Sequence, residues 1–175
     1  VVKGTFGTYT AMVDAGADAR DVAASFNLLS GDTGVSATSL TKANLSVSAA
    51  GTFSFTLQGK STTTSQITAT VTSTTDLTAI KDAINAVSGS TGITAALSSD
   101  KAGINITQSE GYDILIGDVS TGSTNADLVV AAMDMDNVKD TTDVTVDTTA
   151  TITTGAAATI AATAHGFSGG DVVTY

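Results

Sequence analysis

The chain states one pattern twice, about 58 residues apart, and no other feature constrains its fold as much. Tyr9-Thr-Ala-Met-Val13 returns as Ile67-Thr-Ala-Thr-Val71, Asp18 returns as Asp76, and Val22 with Phe26 returns as Ile80 with Ile84. Asn27-Leu-Leu-Ser-Gly-Asp-Thr-Gly-Val-Ser-Ala37 then returns as Asn85-Ala-Val-Ser-Gly-Ser-Thr-Gly-Ile-Thr-Ala95, with no insertion. Turn glycines, a helix cap and apolar positions held at one offset mean a supersecondary unit built twice. The repeat is architectural and carries almost no chemistry.

Within the first copy, the Thr, Tyr and Val content of Thr5 to Val13 predicts a strand. Asp18 stands where an N-cap belongs, with Asp21 three residues on to meet the positive end of the helix dipole. Ala19, Val22, Ala23, Phe26 and Leu29 follow at helical spacing, and Gly31 stops the helix. In the second copy Asp76 caps, Leu77, Ile80, Ile84 and Val87 form the stripe, and Gly89 stops it. Helices of about three turns do not persist alone in water, so each is expected to lie on a sheet that buries its stripe.

Thr33 to Ala37 and Thr91 to Ala95 each predict a glycine turn feeding a strand. Ala43 to Ser48 with Gly51 to Leu57, and Gly103 to Thr107 with Tyr112 to Ile116, then predict hairpin partners. Phe53, Phe55 and Leu57 alternate with Ser54 and Thr56, as in a strand with one buried face. Gln58 to Ser65 reads as a polar hairpin or linker, Gly117 to Asn125 as a loop, and Ala126 to Met135 as a short helix or strand. From Asp140 the texture changes to Thr and Val or Ile alternation, then Ala156 to Ala164, then His165-Gly-Phe-Ser-Gly-Gly-Asp-Val-Val-Thr-Tyr175. The expected fold is α+β: mainly antiparallel β, two short amphipathic helices in a tandem pseudo-repeat, and the start of a β-rich third unit. The expected divisions are residues 1–60, 61–138 and 139–175. Val1 in place of Met and the strand-like end at Val172 to Tyr175 read as a fragment of something longer.

Composition narrows the function classes. Seventeen acidic residues against 7 basic ones give a formal charge of −10, which repels phosphate backbones and anionic lipid. Nucleic acid and membrane are therefore not expected as partners, and no apolar run approaches the roughly 20 residues of a bilayer helix. No residue is Cys, which excludes disulfides, thiolate metal sites and cysteine nucleophiles. Aromatics are only 5% of the chain, so any core is built mainly from small aliphatic side chains.

Few residues invite a chemical reading. His165 is the only histidine, and spacing assigns it neither an orienting carboxylate nor a nucleophile, so it reads as a turn residue beside Gly166. Asp134, Asp136, Asn137, Asp140 and Asp143 supply the oxygen donors of a weak Ca2+ site, the one cofactor the chain suggests. Val138 breaks the EF-hand spacing, and a solvated acidic loop is the plainer reading. Met133 and Met135 read as packing residues. Asn44-Leu-Ser46 and Asn105-Ile-Thr107 fit the glycosylation sequon but fall in expected strands. Gly31 and Gly89 follow helices, whereas a phosphate cradle needs its glycines before one.

The stretch Asp76 to Leu97, with the pair Ile84-Asn85, resembles the repeated IN motif of bacterial flagellins and flagellar filament-associated proteins. Asp18 to Ala37 is a looser copy with Phe26-Asn27 in that place, and Gly51 to Leu57 is similar to the strand that accompanies such motifs. The resemblance spans roughly residues 9 to 119. It implies a structural, non-enzymatic, secreted outer domain of an extracellular filament involved in cell motility. Homopolymer contacts would run through flanking helical regions not contained here, with surface glycans as further partners. The His165-Gly-Phe167 tail departs from the pattern and resembles repeats of bacterial adhesins and phage tail fibres, which leaves a glycan- or surface-binding module as the alternative.

Overall fold

The computed structural model describes residues 1–123, 125–133 and 144–146. Its elements are β1 (Val2–Lys3), β2 (Thr8–Tyr9), α1 (Ala19–Asn27), α2 (Ser30–Thr33), β3 (Thr41–Val47), β4 (Gly51–Gln58), β5 (Ser65–Val71), α3 (Thr78–Ala86), α4 (Ser88–Thr91), β6 (Ile93–Leu97), β7 (Ile104–Gln108), β8 (Leu115–Thr121), β9 (Leu128–Ala132) and β10 (Val144–Val146). The architecture is α+β and every strand pairing is antiparallel.

Alternation along the strands explains the layering. β4 buries Phe53, Phe55 and Leu57, β5 buries Ile67, Ala69 and Val71, and the intervening Ser and Thr face water. These strands form a three-stranded sheet in the order β5-β4-β8. A second sheet runs β10-β9-β3-β7-β6 and turns Leu45, Ile93, Ile104, Ile106 and Leu128 inward. The two inner faces and the α3 residues Ile80 and Ile84 share one core. Each such fully buried aliphatic or aromatic side chain contributes roughly 1.5–3 kcal/mol before entropy is subtracted.

Gln58 to Ser65 joins β4 and β5 as an antiparallel hairpin, but the two expected pairs of hairpin partners are not hairpins. β3 and β4 lie in different sheets, as do β7 and β8, because setting two apolar faces opposite each other buries both, whereas side-by-side pairing would leave them on one exposed layer. β3 is inserted between β7 and β9, so strands from before and after residue 60 interleave in the same sheets. Gly117 to Thr121, expected as loop, belongs to β8, which begins at Leu115 rather than Tyr112. The stretch after Ala126 resolves as strand β9, and β10 extends the sheet beyond it.

The two copies share local geometry but not burial. Asp18 caps α1 as expected, its carboxylate accepting from Asp21 N at 2.9 Å. Asp76 stands one residue before the α3 N-cap, Leu77, and accepts instead from Thr78 N and Thr78 Oγ1. Gly31 and Gly89 do not stop their helices. They lie inside the short turns α2 and α4, and the left-handed caps are Gly34 and Gly92, at φ 74° and 70°. α3 packs on β5 and β6, and Ile80 and Ile84 are fully buried. Among the described residues α1 has no comparable sheet beneath it, and Val22 and Phe26 are only half-buried. The strand expected over Thr5 to Val13 pairs only at Thr8–Tyr9 with β1, and no strand forms over residues 35–39 where the second copy has β6.

Candidate functional site: a duplicated asparagine clamp

The IN asparagine is a clamp on backbone. At the end of α3, Asn85 Nδ2 donates to Ala95 O at 2.9 Å, and Ala95 N donates to Asn85 Oδ1 at 2.8 Å. Its side-chain amide therefore satisfies both outward-facing backbone groups at the centre of β6, the edge strand of its sheet. An unpaired strand edge is a template for another chain, and here the edge is blocked from within the motif. Asn27 does the same to Ala37, at 2.9 Å and 2.8 Å.

A threonine fixes the turn between clamp and strand. Thr33 and Thr91 are fully buried, and their Oγ1 atoms donate to Leu29 O and Val87 O at 2.7 and 3.0 Å. The same oxygens accept from Val35 N and Ile93 N two residues on. Ser30 and Ser88 Oγ donate to Asn27 O and Asn85 O, both at 2.7 Å. Thr91 O accepts from Lys60 N at 2.8 Å, and Thr33 O accepts from Phe6 N at 3.3 Å, so each hairpin tip docks on its own turn. Asn27, Asn85, Thr33 and Thr91 were visible in the sequence as repeat-matched residues, but nothing in spacing announces a bond that spans ten residues.

The copies meet at the β7–β8 loop. Gly111, at φ 80°, presents its carbonyl to Arg20 N at 3.1 Å. The Arg20 guanidinium lies 4.2 Å from the Tyr112 ring centre and donates to Tyr112 Oη at 2.8 Å. Ser39 Oγ donates to Glu110 O at 3.0 Å, and Lys60 pairs with Glu110 at 2.9 Å. That carboxylate raises the Lys60 pKa, first by accepting its hydrogen bond and then by its charge.

The other sequence candidates fare differently. Asn44 and Asn105 face each other across β3 and β7, with Asn44 Nδ2 donating to Asn105 Oδ1 at 2.7 Å, so both sequons lie in paired strands. The first of them borders a shallow polar cleft of about 250 Å³ lined by Asn44, Ser46, Ser98, Asp100, Ala102 and Gly103. Asp134, Asp136, Asn137, Asp140 and Asp143, with Met135 and His165, lie outside the described residues, whereas Met133 is half-buried just after β9. Among the described residues no three His, Asp or Glu side chains converge as metal ligands, and no helix is long and apolar enough to cross a membrane.

Compared with curated proteins, the chain matches none. Residues 52–110 match the family model described as the flagellin hook IN motif, a segment that runs from β4 through α3 and β6 to the loop after β7 and contains the Asn85 clamp. The first copy lies outside that match. Residues 52–110 are thus similar to the flagellin hook IN motif, consistent with a flagellin-related domain.

Proposed function

We propose that this chain is the outer, solvent-facing domain of an extracellular flagellin-like filament protein and works by display rather than catalysis. The observation that carries the reading is the use made of the motif's own polar residue. In both copies the asparagine amide is turned onto the backbone of a residue ten positions on, in strand β6 in the second copy and in an extended segment outside any strand in the first. Such a device stiffens a module and blunts its edge, which suits a domain held at high local concentration along a polymer.

The surface agrees with that role. On the outer face of the three-stranded sheet Thr52 meets Thr70 at 3.1 Å and Ser54 meets Thr68 at 3.3 Å, an exposed hydroxyl ladder that is uncharged and well hydrated. With the formal charge of −10, this surface keeps neighbouring copies apart and soluble. Homopolymer contacts belong to flanking regions, and surface Ser and Thr offer attachment points for glycans.

Antibodies raised against this chain and applied to intact cells of its source test the reading by immunogold microscopy. Gold along the length of the filaments is expected. Label confined to the cell body, or to phage tails, would move the chain to the adhesin or fibre class, as would selective binding on a glycan array.

A further inference from the structure

Gln108 is a polar side chain in an apolar row. Along β7 it follows Ile104 and Ile106 on the inward face, and like them it is fully buried. Its carboxamide oxygen is engaged by the loop that follows: Oε1 accepts from Glu110 N at 2.8 Å and from Tyr112 N at 3.0 Å. These two bonds fix the orientation of the amide, because a flipped group would set N–H against N–H. Nε2 therefore points away from the loop, and among the described residues it meets no acceptor. Thr41 lies directly opposite Gln108 in the β3–β7 register and shares a face with Leu45 and Val47, and its Oγ1 is likewise buried without a partner. β7 is flanked by β3 on one side and β6 on the other, so the strands around both atoms are described.

We propose that Thr41 and Gln108 hold one internal water molecule between them, and that this water pins the amide that carries the β7–β8 loop. Buried polar groups are nearly always hydrogen-bonded, through ordered water where no protein group reaches them. Both atoms suit water: Nε2 donates to its oxygen, and the threonine hydroxyl accepts from it or donates to it. Directly opposite side chains in antiparallel strands have Cβ atoms roughly 4.5–5.5 Å apart, near enough for their polar ends to share a water. They also suit each other, a donor facing an acceptor, yet no bond joins them directly. The site matters because of what the other end of the amide holds. The loop bound by Oε1 presents Gly111 O to Arg20 N, Tyr112 to the Arg20 guanidinium, and Glu110 to Ser39 and Lys60, so the water sits behind the joint between the two copies.

Magnetic relaxation dispersion of water oxygen counts the waters that stay bound for longer than the protein takes to tumble, and it reads the full chain in solution. Thr41→Val removes the hydroxyl at nearly constant volume, and its dispersion amplitude should fall by one long-lived water relative to the parent. Thr41→Ser, which keeps the hydroxyl, should retain that water, and so should Thr52→Val, which removes an exposed hydroxyl from β4. Amide exchange at Glu110 and Tyr112 should quicken several-fold in Thr41→Val alone, while Leu45 and Ile106 keep the protection of an intact sheet. In the parent itself, a rotating-frame Overhauser peak should connect water to the Gln108 Nε2 hydrogens, and its absence overturns the proposal whatever the variants do. Equal amplitudes for Thr41→Val and the parent also overturn it, as expected if the two side chains bond each other directly. So does a lost water that leaves exchange at Glu110 and Tyr112 unchanged.

Discussion

Asn85 holds Ala95 by both of its backbone groups, through bonds of 2.9 and 2.8 Å made by one side-chain amide. Replacing it with Ala leaves a part-buried N–H and C=O facing a hole, which costs about 1–3 kcal/mol for groups that water does not fully reclaim. Asn85→Asp keeps the acceptor for Ala95 N but sets a carboxylate oxygen against Ala95 O, so it should be no better than Ala at neutral pH. The Asn27 bonds are exposed, and Asn27→Ala should cost less, about 0.5–1.5 kcal/mol. Urea denaturation of the three variants checks the order.

The same asymmetry governs the helix stripes. Ile84 is fully buried between α3 and the shared core, and Ile84→Ala should destabilise by about 2–5 kcal/mol. Phe26→Ala, at a half-buried site, should fall well below that range. Because β3 sits between β7 and β9, Ile84→Asp should abolish the folding of strands on both sides of residue 60 in a single transition. Hydrogen exchange at Leu45 and Ile106 reads this directly, since both amides should lose protection together.

Local signals were legible and non-local ones were not. The alternation of Phe53, Phe55 and Leu57 and the stripe of Ile80 and Ile84 are written in period and hydropathy, and those residues are buried as expected. The Asp18 cap was equally plain, because capping spans three residues. Sheet membership was not. Nothing in Ala43 to Leu57 distinguishes a hairpin from a crossing between sheets, since the alternation is the same in both. Val22 and Phe26 carry the same pattern as Ile80 and Ile84, yet a pattern states which face wants burial and not whether a sheet is there to bury it. The clamp was hidden for a different reason. Asn27 and Asn85 aligned in the repeat, but a hydrogen bond to a residue ten positions away has no periodicity to betray it.

Acid should weaken the second copy through two carboxylates. Thr78 Oγ1, then Thr78 N, hold the Asp76 pKa below its ordinary 3.8, and Ser98 Oγ, then Ala102 N, do the same for Asp100. A depressed folded-state pKa favours the anion in the fold. Its contribution is complete above the unfolded value and disappears as pH falls through the folded one. An Asp76→Asn chain should therefore melt below the parent at about pH 7, and the gap should close as pH falls through the folded-state value of Asp76. Lys60 has the opposite sign: raised by Glu110, its contribution is complete below 10.5 and is lost as pH climbs through the folded value. Parallel melts of Lys60→Met and the parent should converge in strong alkali.

Two glycines separate backbone strain from crowding at the joint between the copies. Gly16 and Gly111 share a positive φ, 81° and 80°, but a Cβ on Gly16 meets nothing within 4 Å. On Gly111 it would collide with Ser39 Cβ and come within 2.9 Å of Arg20 N, the donor that bonds to the Gly111 carbonyl. Gly16→Ala should thus cost only the left-handed conformation, about 1 kcal/mol. Gly111→Ala adds steric conflict between backbone segments that cannot yield separately, and should cost about 2–4 kcal/mol. It should also part Arg20 from Tyr112, so that Tyr112 fluorescence and the rate of exchange at Arg20 N change in Gly111→Ala and not in Gly16→Ala. Matching behaviour of the two variants would mean that the copies are not held together at Gly111.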